Sequence, residues 1–194
     1  MRRRDLLAGV GSVAVLGAGG AVALGGFPSV GGSDASDAEG TDAPGEGGTD
    51  RTERPGPIAV ETIDAPGSEA GEVRIPAAEP TFIDFFGTWC PPCIEQMPAL
   101  AEANERVGDD VLFVSVTTEN VGGSVTKDEV VEWWETHGGN WTLGIDPTAE
   151  LAARYAPPGY PAAFAIEASG TVAWSDAGVK TADELVAGIA RAME

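Results

Sequence analysis

Thr81-Phe82-Ile83-Asp84-Phe85-Phe86-Gly87-Thr88-Trp89-Cys90-Pro91-Pro92-Cys93 joins an apolar run of strand length to the start of a helix. Beyond it, Ile94, Met97, Leu100, Ala101 and Val107 recur near helical spacing. Cys90 and Cys93 are the only cysteines in the chain. A Cys-x-x-Cys pair at a helix start sets its first sulfur at the amino end, where unpaired N–H groups and the helix dipole favour thiolate. The second sulfur lies one turn inward. Cys90 is therefore the candidate nucleophile and Cys93 the candidate resolving thiol. Pro91 suits the first helical turn, where its missing donor costs nothing, and Pro92 removes another N–H that would bond a thiolate.

Asp84 stands among Phe82, Ile83, Phe85 and Phe86, neighbours that favour burial over the alternative of a solvated acid at the strand end. Burial raises a carboxyl pKa toward working pH, as a general base needs. Asp84 is expected to close the strand and to take the proton that Cys93 must lose.

Other chemistries of the two thiols remain to be weighed. A structural disulfide closing so small a loop contributes only about 2 kcal/mol on the chain-entropy model. Zinc needs about four ligands, and two cysteines with the lone His137 do not make a thiolate-rich site. His137 reads as a surface residue ending its helix. Cu(I), held by both thiolates with Met97 nearby, is chemically allowed because soft sulfur selects it; this stays as the alternative function, a copper-binding or copper-transfer module.

Outward from the pair, Pro57–Ile63 and Gly71–Ile75 read as an N-terminal hairpin around Pro66-Gly67. Val111–Thr117 and Trp141–Ile145 read as strands, and Lys127–His137 and Thr148–Tyr155 as helices. Ala162–Glu167 and Thr171–Trp174 form a second hairpin, before a closing helix over Ala182–Met193. This order implies a mixed sheet covered on both faces. Trp133, Trp134, Trp141 and Trp174 read as packing residues.

From roughly Pro80 to the C-terminus the chain resembles the TlpA-like extracytoplasmic thiol–disulfide oxidoreductases, which have the thioredoxin fold. Phe85-Phe86-Gly87-Thr88-Trp89-Cys90-Pro91-Pro92-Cys93, Met97-Pro98-Ala99-Leu100 and Gly159-Tyr160-Pro161-Ala162-Ala163-Phe164-Ala165-Ile166 carry the likeness, in that order. The resemblance implies an α/β thioredoxin-like fold, a central mixed β-sheet flanked by helices with an N-terminal β-hairpin extension. It implies a redox-active Cys90–Cys93 disulfide, a cis Pro161 beside it, Pro98 kinking the helix, and Asp84 as the buried acid. Trp89, Pro91, Pro92, Tyr160 and Pro161 would line the substrate groove. No cofactor or metal is implied, since the dithiol is itself the redox centre. The implied partners are exported protein thiols and disulfides and a membrane electron donor or acceptor, met by a monomer. Two residues depart from the pattern. Gln96 replaces a frequent Glu, and Ser115 stands where cytoplasmic thioredoxins carry a Lys near the buried acid. A peroxiredoxin reading fails because those enzymes carry Thr or Ser three residues before the reactive Cys, where this chain has Gly87, with Phe86 before it and Thr88 only two before Cys90. Thioredoxin-fold copper chaperones carry C-x-x-x-C and a late His, and neither is present.

Arg2-Arg3-Arg4-Asp5-Leu6-Leu7 opens an apolar, Gly- and Ala-rich stretch through Leu24, a basic n-region leading into an h-region. It resembles a twin-arginine export signal. Residues 1–26 are expected to be that signal or, uncleaved, a membrane anchor; both stay open. Residues 27–57 form an acidic linker with too little apolar surface to fold, and residues 58–194 form the thioredoxin-like domain. That domain is expected outside the cell membrane.

The 194 residues carry 31 acidic and 11 basic side chains, a net charge of −20. Nucleic acid is excluded as a partner, because phosphate binding draws on clustered Lys and Arg and the only lysines are Lys127 and Lys180. So acidic a domain fits a surface adapted to strong salt, where the Debye length falls to about 3 Å at 1 M, or an ordinary acidic protein.

Overall fold

The structure, a computed structural model, describes residues 56–194. The expected signal or anchor, and all of the linker except Gly56 and Pro57, lie outside the described residues. β1 (Ile58–Thr62) alternates buried and exposed positions, as a strand with one covered face does. It pairs antiparallel with β2 (Gly71–Ile75) across the turn at Pro66-Gly67. Gly67 takes a positive φ of 74° there, which a side chain would resist.

β3 (Thr81–Phe86) is buried at all six positions, the pattern of a strand covered on both faces. Alternation along it sends Phe82, Asp84 and Phe86 to one face and Ile83 and Phe85 to the other. α1 (Pro91–Val107) follows, then β4 (Leu112–Thr117), parallel to β3 with Asp84 opposite Ser115. α2 (Lys127–Thr136) leads to β5 (Thr142–Ile145), parallel to β4. The crossovers from β3 to β4 and from β4 to β5 step the same way across the sheet. Right-handed connections therefore put α1 and α2 on one face. The core beneath them contains Phe82, Phe86, Cys93, Met97, Leu100, Val130 and Trp134.

α3 (Glu150–Tyr155) covers the other face, where Leu151 packs with Val60, Ile83, Phe85, Val116 and Phe164. β6 (Ala162–Ile166) runs antiparallel to β3, β7 (Val172–Ala177) lies outside it, and α4 (Ala182–Ala190) packs beside α1. The sheet order is β2-β1-β5-β4-β3-β6-β7. This is the thioredoxin-like architecture, a mixed sheet flanked by helices, with the N-terminal hairpin extending the sheet through β1 and β5.

Several boundaries differ from the sequence reading. α1 begins at Pro91 instead of Ile94, because the two prolines supply the first turn that periodicity does not mark. β7 runs to Ala177, three residues past Trp174, on its antiparallel pairing with β6. α3 starts at Glu150 between two alanines with positive φ, Ala149 and Ala156. The Asp146 carboxylate accepts the N–H groups of Glu150 and Ala152, both at 2.9 Å, and fixes that turn.

Candidate active site

The helix start sets the geometry of the cysteine pair. Cys90 is the N-cap of α1, with extended backbone, and Cys93 is buried one turn on. The two are joined as a disulfide, with 5.3 Å between their Cα atoms. The Cys93 N–H donates to Cys90 Sγ at 3.2 Å. With Pro91 and Pro92 lacking donors, this is the first amide of the helix able to reach that sulfur. The side chains also differ from a simple picture of one open and one hidden thiol. Cys90 is 2% exposed and Cys93 1%, so position on the helix, and not burial, distinguishes them. The exposed surface comes from their neighbours: Trp89 is 66% exposed, and Pro91, Pro92 and Ile94 are open.

Trp89 meets Tyr160 edge to face, with ring centroids 5.9 Å apart. Gly87 permits this arrangement, since a Cβ there would lie 2.8 Å from the indole nitrogen. The Tyr160–Pro161 peptide is cis, as is Ile75–Pro76. The Pro161 carbonyl accepts the Gly178 N–H at 2.8 Å. Pro161 is buried and Tyr160 half-buried.

Asp84 lies on the face of β3 that α1 covers. It does not end the strand as expected, since Phe85 and Phe86 follow within it. It is 2% exposed, and the solvated-acid alternative fails on that number. Ser115 Oγ donates to Asp84 Oδ2 at 3.1 Å and accepts the Trp141 indole N–H at 2.9 Å. Burial pushes the Asp84 pKa from 3.8 up to about 7, the Ser115 hydrogen bond only partly opposing it. Ser115 thus supplies Asp84 with a neutral donor and no charge. Gln96 also gains a reason: its Oε1 accepts the Lys180 N–H at 2.6 Å and its Nε2 donates to the Lys180 carbonyl at 3.1 Å. A carboxylate could accept the first bond but not donate the second.

Sequence reasoning missed Thr88, Thr118 and Glu119. Glu119 accepts from the Thr88 N–H and hydroxyl, both at 2.8 Å, and from the Thr117 hydroxyl at 2.9 Å. Thr118 and Tyr160 share a hydroxyl hydrogen bond of 2.7 Å. An acid just past a strand reads as a solvated loop residue, and no local signal marks its long-range partner. His137 ends α2 as its C-cap, as expected, and rests against Trp133. Among the described residues no group of three or more His, Cys, Asp and Glu is placed to hold a metal ion.

A family model described as Redoxin matches residues 76–190. The thiol:disulfide interchange protein CycY of Rhizobium leguminosarum bv. viciae is 23% identical over 155 residues, covering 76% of this chain and 80% of CycY. The chloroplastic thioredoxin Y of Oryza sativa subsp. japonica is 36% identical over 52 residues, covering 27% of this chain and 31% of that protein. The chain thus spans only about a third of that relative's length. The crystal structure of StoA from Bacillus subtilis superposes with a TM-score of 0.58 at 23% identity, over 69% of this chain and 96% of that one.

Proposed function

This chain belongs to the Redoxin family, with a TlpA-like thioredoxin fold, and on that premise we propose that it is an exported thiol–disulfide oxidoreductase acting as a reductant of protein disulfides. The observation that carries the reading is the Cys90 sulfur at the N-cap of α1, facing the Cys93 amide. In the reduced protein the same dipole and N–H favour a Cys90 thiolate.

The steps balance as a two-electron exchange. Cys90 thiolate attacks one sulfur of a substrate disulfide, and the other substrate sulfur leaves as a thiolate that takes a proton from water. Cys93 then loses its proton to the Asp84 carboxylate and attacks Cys90 Sγ. The second substrate thiolate leaves, and the Cys90–Cys93 disulfide holds both oxidising equivalents. A membrane electron donor returns two electrons and two protons to the pair. Trp89, Pro91, Pro92, Tyr160 and Pro161 present the groove for the substrate chain. Neither the N–H nor the carbonyl of Tyr160 is bonded within the described backbone, which leaves them to pair with an extended segment.

Export rests on the basic and apolar stretch over residues 1–26. No helix among the described residues is long and apolar enough to cross a membrane. Apocytochrome c and mispaired exported proteins are the substrate classes that fit a reductant on that side. The test of direction is the equilibrium of the Cys90–Cys93 pair with a glutathione redox series. A potential well below about −120 mV is expected; a value near that figure, typical of strong oxidases, contradicts the reductant role. Tight stoichiometric Cu(I) binding by reduced protein that fails to reduce insulin disulfides would favour the copper-transfer alternative.

A further inference from the structure

The segment after β4 bonds both the loop before Cys90 and Tyr160. Thr88 lies two residues before Cys90 and one before Trp89, and its N–H and hydroxyl both end on Glu119. The adjacent Thr118 hydroxyl shares a hydrogen bond with the Tyr160 hydroxyl, next to the cis Pro161. Trp89 and Tyr160 then meet edge to face. Glu119 itself is fixed from behind: the Thr117 hydroxyl donates to its carboxylate, the Glu119 N–H donates back to that hydroxyl at 3.3 Å, and its carbonyl accepts the Val121 N–H at 2.7 Å. Thr117 is anchored in the sheet beside Phe86, and its carbonyl accepts the Asp146 N–H at 2.8 Å.

We propose that Thr118 and Glu119 are positioning residues that hold Trp89 and Tyr160 in the edge-to-face pair against which a protein substrate docks. The inference rests on the oxidoreductase reading and adds to it what orders the docking surface. The bond inventory supports the role. A carboxylate that receives three donors makes charge-assisted hydrogen bonds, stronger than neutral ones, and here two of the three come from the loop that carries Trp89. The Cys-x-x-Cys loop has few other ties: the Cys90 N–H donates to the Gly87 carbonyl at 3.1 Å, within the loop itself. Without Glu119, nothing outside that loop takes up the Thr88 donors, and the exposed Trp89 loses its reference to the sheet. Thr118 does for Tyr160 what Glu119 does for Thr88. Because the two residues are consecutive, one short segment holds both the loop that carries Trp89 and Tyr160.

A groove of this kind matters for a chain that must be docked and little for a small disulfide that needs only the sulfur. That difference gives the test. Glu119→Ala, Glu119→Gln and Thr118→Val are prepared in the full chain, and reduction of insulin is compared with reduction of glutathione disulfide. Glu119→Ala is expected to raise KM for insulin about tenfold, the cost of a lost hydrogen bond to a charged group. The rate with glutathione disulfide should stay within about twofold. Glu119→Gln should restore the insulin KM, since its oxygen accepts the Thr88 and Thr117 donors while its amide donates to the Thr88 hydroxyl. Thr118→Val keeps the side-chain shape and should shift the insulin KM in the same direction, and it remains informative if Glu119→Ala does not fold. Variants indistinguishable from the wild-type protein in both assays, or parallel losses on both substrates that Gln does not repair, overturn the proposal. Failure of the underlying oxidoreductase reading would show separately, as no turnover of either substrate by the wild-type protein.

Discussion

Asp84 is the residue whose environment makes the sharpest demand. It is a buried carboxyl on β3, opposite Ser115 of the parallel β4 and answered by that residue's single hydroxyl. Its pKa of about 7 in the fold lies above the ordinary 3.8, so the neutral form is the one the fold favours. The stability this contributes is complete below pH about 4 and is lost as pH rises through 7. Asp84→Asn, which stays neutral, should therefore stabilise the oxidised protein at pH 8.5 by up to roughly 4 kcal/mol and change little near pH 4; denaturant unfolding at the two pH values measures it. In the same variant, attack by Cys90 should proceed while resolution by Cys93 slows, so that mixed disulfide accumulates in rapid-quench experiments. Unchanged resolution kinetics would remove Asp84 from the mechanism. Burial of Asp84 was legible because its four neighbours are large and apolar. Its partner was not, because Ser115 becomes adjacent only through the parallel register of β3 and β4.

At the scale of elements, what could be read and what could not divide along local and long-range lines. β3 matched its expected span, Thr81–Phe86, because a bounded apolar run before Gly87 leaves little room for a shift. The hairpin of β1 and β2 was legible from its turn, yet its attachment to β5 was not, since Glu61 and Ile145 meet only in the folded sheet. α2 and α4 each begin with a capping box, Thr126 with Glu129 and Thr181 with Glu184, so their starts are written in the sequence. Their ends carry no such signal, and α4 stops three residues before the expected Met193. The Cys-x-x-Cys loop was found from its residues alone. The brace that Thr118 and Glu119 form against it was hidden, because it links positions 31 and 42 residues apart.

The whole molecule is set by its charge and by its one redox centre. With 31 acids against 11 bases, most carboxylates have no cationic partner, and the described ion pairs lie at the surface, where such pairs contribute little, except that Lys180 is largely buried where it meets Asp176. Repulsion among them is the term that salt removes, as the Debye length shortens from about 10 Å at 0.1 M to about 3 Å at 1 M. Adaptation to strong salt is proposed on this ground: the Tm should climb steadily between 0.1 and 2 M NaCl, and a flat or falling curve would leave an ordinary acidic protein. In the proposed mechanism Cys90 exchanges disulfides with protein substrates and Cys93 resolves the product. Its most direct measurement is the capture of partners by Cys93→Ser, isolated from cells without reductant and resolved by non-reducing electrophoresis and mass spectrometry. Disulfide-linked species joined through Cys90 are expected, vanishing on reduction and absent from Cys90→Ser; a Cys93→Ser protein that captures nothing, or captures partners as readily when Cys90 is also replaced, would rule out Cys90 as the nucleophile.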